Sequence, residues 1–464
     1  MVRSVAATDD PQPGWCAHAA GRCAAPGPKA IHVNIAGMTA TRPWRWIPSL
    51  YFAQGLPYVV VMTLSVVMYK NLGVSNTEIA LYTSWLYLPW VIKPLWSPLV
   101  DLLGSKRRWI VALQFAIGVA FALVALTLPG PRFLQMTLAM FWLMAFASAT
   151  HDIAADGFYM LALPQRTQAA FVGVRSTFYR LSMLGGQGGL VYLAGWWAER
   201  QGSAVLAWTW VFWLLAALFA AAALLHRWAL PRPAGDAPVP RSATFWADFF
   251  KVFAAFFAQR DIARILAFLL LYRFAEAQLL KLVTPFLLDA RAVGGLGLRT
   301  QDVGIAYGTV GVIALTLGGL LGGWVISRCG LKRLLWPLMI CMHAPNLLFV
   351  LLAIAQPTSV ALVSAALAVE QFGYGFGFTA YMVFMLMVAG AADGSAIHKT
   401  AHYALCTGFM ALGMMLPGMW AGWLQSQLGY THFFIWGCVA TLPSFVAAAL
   451  VRIDPEFGRK AEDA

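Results

Sequence analysis

The chain has 464 residues, of which 60% are hydrophobic and only 11% charged, and its mean hydropathy is +0.70. Soluble domains carry about 25% charged residues, so the composition excludes an ordinary soluble protein. A formal charge of +13 would suit a nucleic-acid binder, but the placement of the cations described below excludes that partner.

Residues 1–42 are rich in Ala, Pro and Gly and hold no apolar core long enough for a signal peptide. They read as a disordered cytoplasmic segment, and Met1 and Met38 are both candidate starts. Apolar runs of membrane-spanning length then recur at roughly 46–69, 78–100, 109–129, 133–163, 170–197, 206–228, 262–289, 302–327, 334–355, 359–389, 397–425 and 431–451. Their periodicity is helical, with no series of short alternating segments of the kind a barrel needs. The expected fold is therefore an all-α polytopic membrane protein with twelve transmembrane helices in two six-helix pseudo-symmetric bundles.

Those bundles are expected over 43–228 and 262–452. A linker over 229–261 separates them, and a cytoplasmic tail follows over 453–464. With an inward amino terminus, the loops on that side hold 22 of the 32 Lys and Arg, the opposite loops hold five and the spans hold five. This asymmetry places both termini in the cytoplasm. The basicity is topological.

Two matches support an internal duplication. Asp101-Leu-Leu-Gly-Ser-Lys106-Arg107 after the second span corresponds to Ser327-Arg328-Cys-Gly-Leu-Lys332-Arg333 after the eighth, 226 residues on. Ala194-Gly195-Trp196 corresponds to Ala421-Gly422-Trp423, 227 residues on. Parallel repeats with substrate at their midplane interface are the plan of the major facilitator superfamily. The basic loop also resembles that superfamily's signature, which implies a charge latch between the halves built from Asp101, Lys106, Arg107, Arg328, Lys332 and Arg333. In the second half Ser327 stands where the acid would be.

Within the linker, Thr244–Ala258 carries Phe245, Trp246, Phe249, Phe250, Phe253, Phe256 and Phe257 at three- and four-residue spacing. This predicts an amphipathic helix anchored in the inner interface. Cys16, Cys23, Cys329, Cys341, Cys406 and Cys438 show no metal spacing and read as buried thiols. No metal or cofactor is expected.

The remaining signal is charge inside the spans. Asp152 and Asp156 lie four residues apart in a run whose only other titratable side chains are His151 and Tyr159, hence on one helix face. A carboxylate near a bilayer centre costs about 2.5–3.5 kcal/mol on insertion scales. Proton carriage needs a carboxylate whose charged form is disfavoured by burial or by a like neighbour, and this pair meets both conditions. The alternative is a structural network with Arg175 or Arg180 on the next helix.

Glu370 has no cation on its own helix and precedes Gly373, Gly375 and Gly377. Glu276 follows Arg273 by three residues, the spacing of an intrahelical pair. Proton-coupling candidates are therefore Asp152, Asp156, Glu370 and Glu276. Substrate-binding candidates are Arg175, Arg180, Lys93, Arg273, Lys281, His151, Tyr159, Gln187 and His402. Lys93, beside Pro94, is equally placed to snorkel to the inner surface. Four acids against five bases leave a surplus cation, which suits an anionic or zwitterionic substrate.

Gly55-Leu56-Pro57, Lys93-Pro-Leu-Trp-Ser-Pro-Leu-Val-Asp101, Ala149-Thr-His-Asp152-Ile-Ala-Ala-Asp156-Gly and Tyr179-Arg180-Leu-Ser-Met together resemble the AmpG and acetyl-CoA transporter branch of the superfamily. The likeness is strongest over 51–195, and His151 stands where members of that branch carry Gln. The resemblance implies a monomeric inner-membrane permease, without catalytic residues, that uses protons to import an anhydromuropeptide by alternating access. Siderophores and acyl-CoA are alternative anions. An intramembrane enzyme would need a nucleophile–base set or metal cluster, and neither is visible. A substrate-binding membrane sensor is the non-transport alternative.

Overall fold

The computed structural model describes residues 42–233, 235–237, 245–390, 396–455 and 457. Residues 1–41, and with them Cys16 and Cys23, lie outside this set. Twelve spans follow one another. The first six are α1 (Pro43–Asn71), α2 (Asn76–Trp85 and Leu88–Leu103), α3 (Lys106–Thr127), α4 (Phe133–Ala162), α5 (Gln165–Leu184 through Val191–Gln201) and α6 (Ala204–Ala229). The second six are α7 (Ile262–Leu271 and Phe274–Leu288), α8 (Thr300–Cys329), α9 (Leu331–Ala355), α10 (Val360–Gly390), α11 (396–428) and α12 (430–439 and Leu442–Leu450).

Side-chain caps and glycines set the short turns. Ser75 and Glu78 form a reciprocal capping box at the start of α2. Ser105 caps α3 and Ser203 caps α6. The reversal between α11 and α12 is made at Gly429, whose φ of 72° is the left-handed region that favours glycine. Since the chain crosses twelve times, the linker and the α2–α3, α4–α5, α8–α9 and α10–α11 turns share one face, here the linker side. The α1–α2, α5–α6, α7–α8 and α11–α12 turns share the far side.

Eight helical segments are long and apolar enough to cross a membrane unaided, one of them containing both α11 and α12. The three spans outside these segments are α2, α5 and α7, which carry Lys93, Arg175, Arg180, Arg273, Glu276 and Lys281. Polar spans persist in a bundle when their polar faces turn to a cavity, so α2, α5 and α7 are the spans expected to border one.

Each half has its own apolar core. Phe121, Phe141, Trp208 and Phe212 centre one in the first half, and Phe268, Tyr272, Tyr381 and Phe384 centre another in the second. The halves meet along α2 against α11 and α5 against α8. Glycine permits the close approach: a Cβ on Gly308 would lie 2.0 Å from the Gln187 carbonyl oxygen, and one on Gly422 would lie 2.1 Å from that of Asn76.

The linker helix forms over Phe245–Phe257, with Phe256 fully buried against His402 and Phe409 of α11. Of the four cysteines in the described residues only Cys406 is buried. Cys329 and Cys341 are exposed on outward helix surfaces, which corrects the expectation of uniformly buried thiols. Apolar residues facing lipid are not thereby inside the protein.

Candidate functional site

Two charged clusters face each other across the seam. In the first half, Lys93 of α2 lies 3.6 Å from Asp152 of α4, and Trp90 donates its indole N–H to the same carboxylate at 3.3 Å. One turn on, Arg175 of α5 pairs with Asp156 at 2.9 Å, and Tyr51 of α1 donates to Asp156 at 3.3 Å. The Arg175 guanidinium lies over the rings of Tyr51 and Tyr159, 4.6 and 5.1 Å from their centroids. The Asp156 side chain is 40% accessible and that of Arg175 29%. This end of the cluster is therefore open.

The second cluster grows from a break in α7 at Tyr272-Arg273. Glu276 sits in the first turn of the helix that restarts there, where the N-terminal dipole favours an anion. Arg273 pairs with Glu276 at 3.4 Å and donates to the Tyr374 hydroxyl at 2.5 Å. Arg273 Nε and Glu276 Oε2, both buried, have no hydrogen-bond partner among the described residues. Glu370 of α10 accepts from Gln371 at 2.8 Å. Lys281 donates to Thr83 of α2 across the seam at 2.9 Å.

The far side is closed. Lys70 pairs with Asp289 at 2.5 Å, and the Tyr430 hydroxyl donates to Asp289 at 2.5 Å. Asn76 lies within hydrogen-bond reach of Asp289, Gln425 and Tyr430 at 3.2, 3.0 and 2.9 Å. Alongside, Asn71 meets Thr300 at 3.0 Å, and Glu199 takes Gln301 at 2.9 Å and Arg299 at 3.7 Å. Apart from the Tyr430–Asp289 bond, which lies within the second half, each contact joins a first-half helix to a second-half helix or its loop.

Other candidates take different places. His151 Nε2 lies 3.0 Å from Gln114, which in turn lies 2.8 Å from His226, itself 3.0 Å from Ser49. This buried polar chain stays within the first half. His402 is engaged at both ring nitrogens, by Gln259 at 3.2 Å and by the Val252 carbonyl at 3.1 Å, which pins the linker helix to α11. Gln187 reaches Thr63 at 3.4 Å.

In the gating motif, the Lys106 and Arg107 backbone N–H groups donate to Asp236 at 2.7 and 3.1 Å, and the Arg107 side chain reaches the carbonyls of Leu230 and Arg227. This part of the motif therefore grips the start of the linker. Arg328 lies over Trp324, and Lys332 and Arg333 are exposed. The Asp101 side chain lies outside the description.

A groove of about 990 Å³ between α1, α5 and α6 is lined almost wholly by apolar side chains, among them Phe52, Leu181 and Leu218. It lacks the groups that hold an ionic ligand, so the charged seam is the candidate site. No grouping of three or more metal-type ligands occurs among the described residues.

The sequence model of the Major Facilitator Superfamily matches residues 49–398. The chain belongs to the Major Facilitator Superfamily. Its twelve-helix architecture agrees: the structure of the nucleoside transporter NupG superposes with a TM-score of 0.61 at 17% identity, covering 88% of this chain and 98% of that one. Among sequence relatives, the anhydromuropeptide permease of Escherichia coli K12 is 28% identical over 422 residues, covering 88% of this chain and 80% of the permease. The putative transporter AmpG 4 of Rickettsia conorii is 25% identical, covering 85% and 93%.

As a major facilitator, the protein is a multi-pass secondary-active transporter and not an enzyme. Inspection of the sequence missed the far-side network of Lys70, Asn71, Asn76, Asp289, Thr300, Gln425 and Tyr430. These are ordinary polar residues at span ends, and only the fold brings them together.

Proposed function

We propose that this major facilitator is a proton-coupled importer of an anionic amino-sugar peptide of the anhydromuropeptide class, working by alternating access in the bacterial inner membrane. The excess of basic residues in the linker-side loops makes that side cytoplasmic. The arrangement described, closed on the far side, is then the state that releases substrate inward.

The observation that carries the reading is the charged seam. Lys93, Arg175 and Arg273 pair with Asp152, Asp156 and Glu276, while Lys281 and Arg180 reach across to α2 and α8, so the spans beside the seam hold five cations against four carboxylates when Glu370 is counted. The one surplus cation favours an anionic ligand. The permease relative supports the substrate class. Arg175 and Arg273 are held by Asp156 and Glu276, so in this reading those acids orient the arginines. Glu370 carries the coupling proton because, of the four acids within the spans, it is the one with no ion pair among the described residues.

The test is accumulation of labelled anhydromuropeptide in inverted and right-side-out vesicles, with and without a proton gradient. Gradient-dependent uptake abolished by a protonophore is expected. Equilibrium binding with no accumulation under any gradient would instead reveal a sensor.

A further inference from the structure

The charged seam does not treat its five cations alike. Lys93, Arg175 and Arg273 each have a carboxylate, at 3.6, 2.9 and 3.4 Å respectively. Lys281 and Arg180 do not, among the described residues. Lys281 is only 4% exposed, and its ammonium has the Thr83 hydroxyl at 2.9 Å and the Tyr87 ring at 5.2 Å for company. Arg180 is half-buried against α8, its guanidinium 3.9 Å from where a Cβ on Gly319 would stand. Glu370, the remaining acid, takes its hydrogen bond from Gln371 and is in ion-pair reach of neither.

A hydroxyl and a ring face are weak compensation for a buried ammonium. Charges inside a protein persist when they are paired, and an isolated one is expensive. The two unmatched cations also lie on opposite halves, Arg180 on α5 and Lys281 on α7.

We propose that Lys281 and Arg180 are the ligand anchors and that the transported ligand is a dianion, with one anionic group for each half. Arg180 offers the planar fork that grips a carboxylate or phosphate through two bonds, whereas Lys281 acts as a point charge. A ligand held at both ends bridges the halves, so its second contact is intramolecular and gains the corresponding effective concentration. Lys93, Arg175 and Arg273 are positioned by their own acids and do not contact these charges.

This inference rests on the reading of the chain as an anion transporter, and its test separates the two. Ligand-induced thermal stabilisation of the purified full chain is measured with three probe sets. They are an anhydromuropeptide bearing free carboxylates, the same compound amidated at each carboxylate in turn, and peptide dicarboxylates of graded spacing.

For the wild type, blocking one carboxylate of a binding dianion is expected to weaken affinity tenfold or more. In Lys281→Met one amidated analogue should bind as well as its parent, and in Arg180→Gln a different one should. Lys281→Arg and Arg180→Lys should keep the preference for dianions. A merely structural role for either residue would lower all affinities together and leave the ligand preference intact, which overturns the proposal. Binding of neutral or singly charged ligands alone, or of no dianion at all, overturns it too. If the anhydromuropeptide fails while another dicarboxylate shows the expected pattern, the substrate reading falls and the anchors stand.

Discussion

Asp152 and Asp156 lie one turn apart on α4 yet answer to different cations. Lys93 comes from α2 to the first and Arg175 from α5 to the second. Their position on one face was legible in the sequence from the four-residue spacing. The partner of Asp152 was not, because α2 and α4 are brought together only by packing. Removing one member of a buried ion pair leaves a charge without compensation, at a cost of about 3–5 kcal/mol when burial is complete. This pair keeps some accessibility, so a smaller loss is expected. Lys93→Met should lower the unfolding temperature, and Lys93→Met with Asp152→Asn should recover most of it; a double variant no better than the single one would contradict the pairing. Glu370→Gln should abolish gradient-driven accumulation while preserving exchange of labelled for unlabelled substrate. Unchanged accumulation would remove Glu370 from the coupling step.

At the scale of elements, the spans at the seam are irregular where periodicity predicts continuous helices. Wide π-helical turns occur at Val60–Leu64 in α1, Gly185–Leu190 in α5 and Gly304–Gly311 in α8, and α2 and α7 are interrupted. Such turns recur at functional sites. Glycine runs in α5 and α8 hint at them in the sequence, but hydropathy averaged over a span conceals them. The α5 and α8 turns touch backbone to backbone at Gly188 and Gly308, whereas Gly189 faces open space. Gly308→Ala should force the halves apart and reduce uptake tenfold or more, while Gly189→Ala should transport normally. Equal behaviour of the two variants in the same vesicle assay would show that this crossing does not carry closure.

On the scale of the whole molecule, the sequence discloses twelve spans, the sidedness of charge and the internal repeat, because each is written in composition and spacing. It does not disclose the access state. That depends on contacts among Lys70, Asn71, Asn76, Asp289, Thr300 and Tyr430, which are distant in sequence and unremarkable singly. The Asn71–Thr300 contact gives a direct handle. A disulfide across Asn71→Cys and Thr300→Cys should arrest transport under oxidation, and a reductant should restore it. Transport undiminished with the disulfide formed would mean that the far side need not open.

The transport expectations among these depend on vectorial movement of an anion through the seam. The most direct measurement is therefore uptake of labelled anhydromuropeptide by proteoliposomes holding the purified wild-type chain, with an imposed proton gradient. Accumulation above the external concentration that collapses with the gradient is the expected result. Equilibration without accumulation, or no uptake while the protein remains folded, would contradict proton-coupled transport of this substrate.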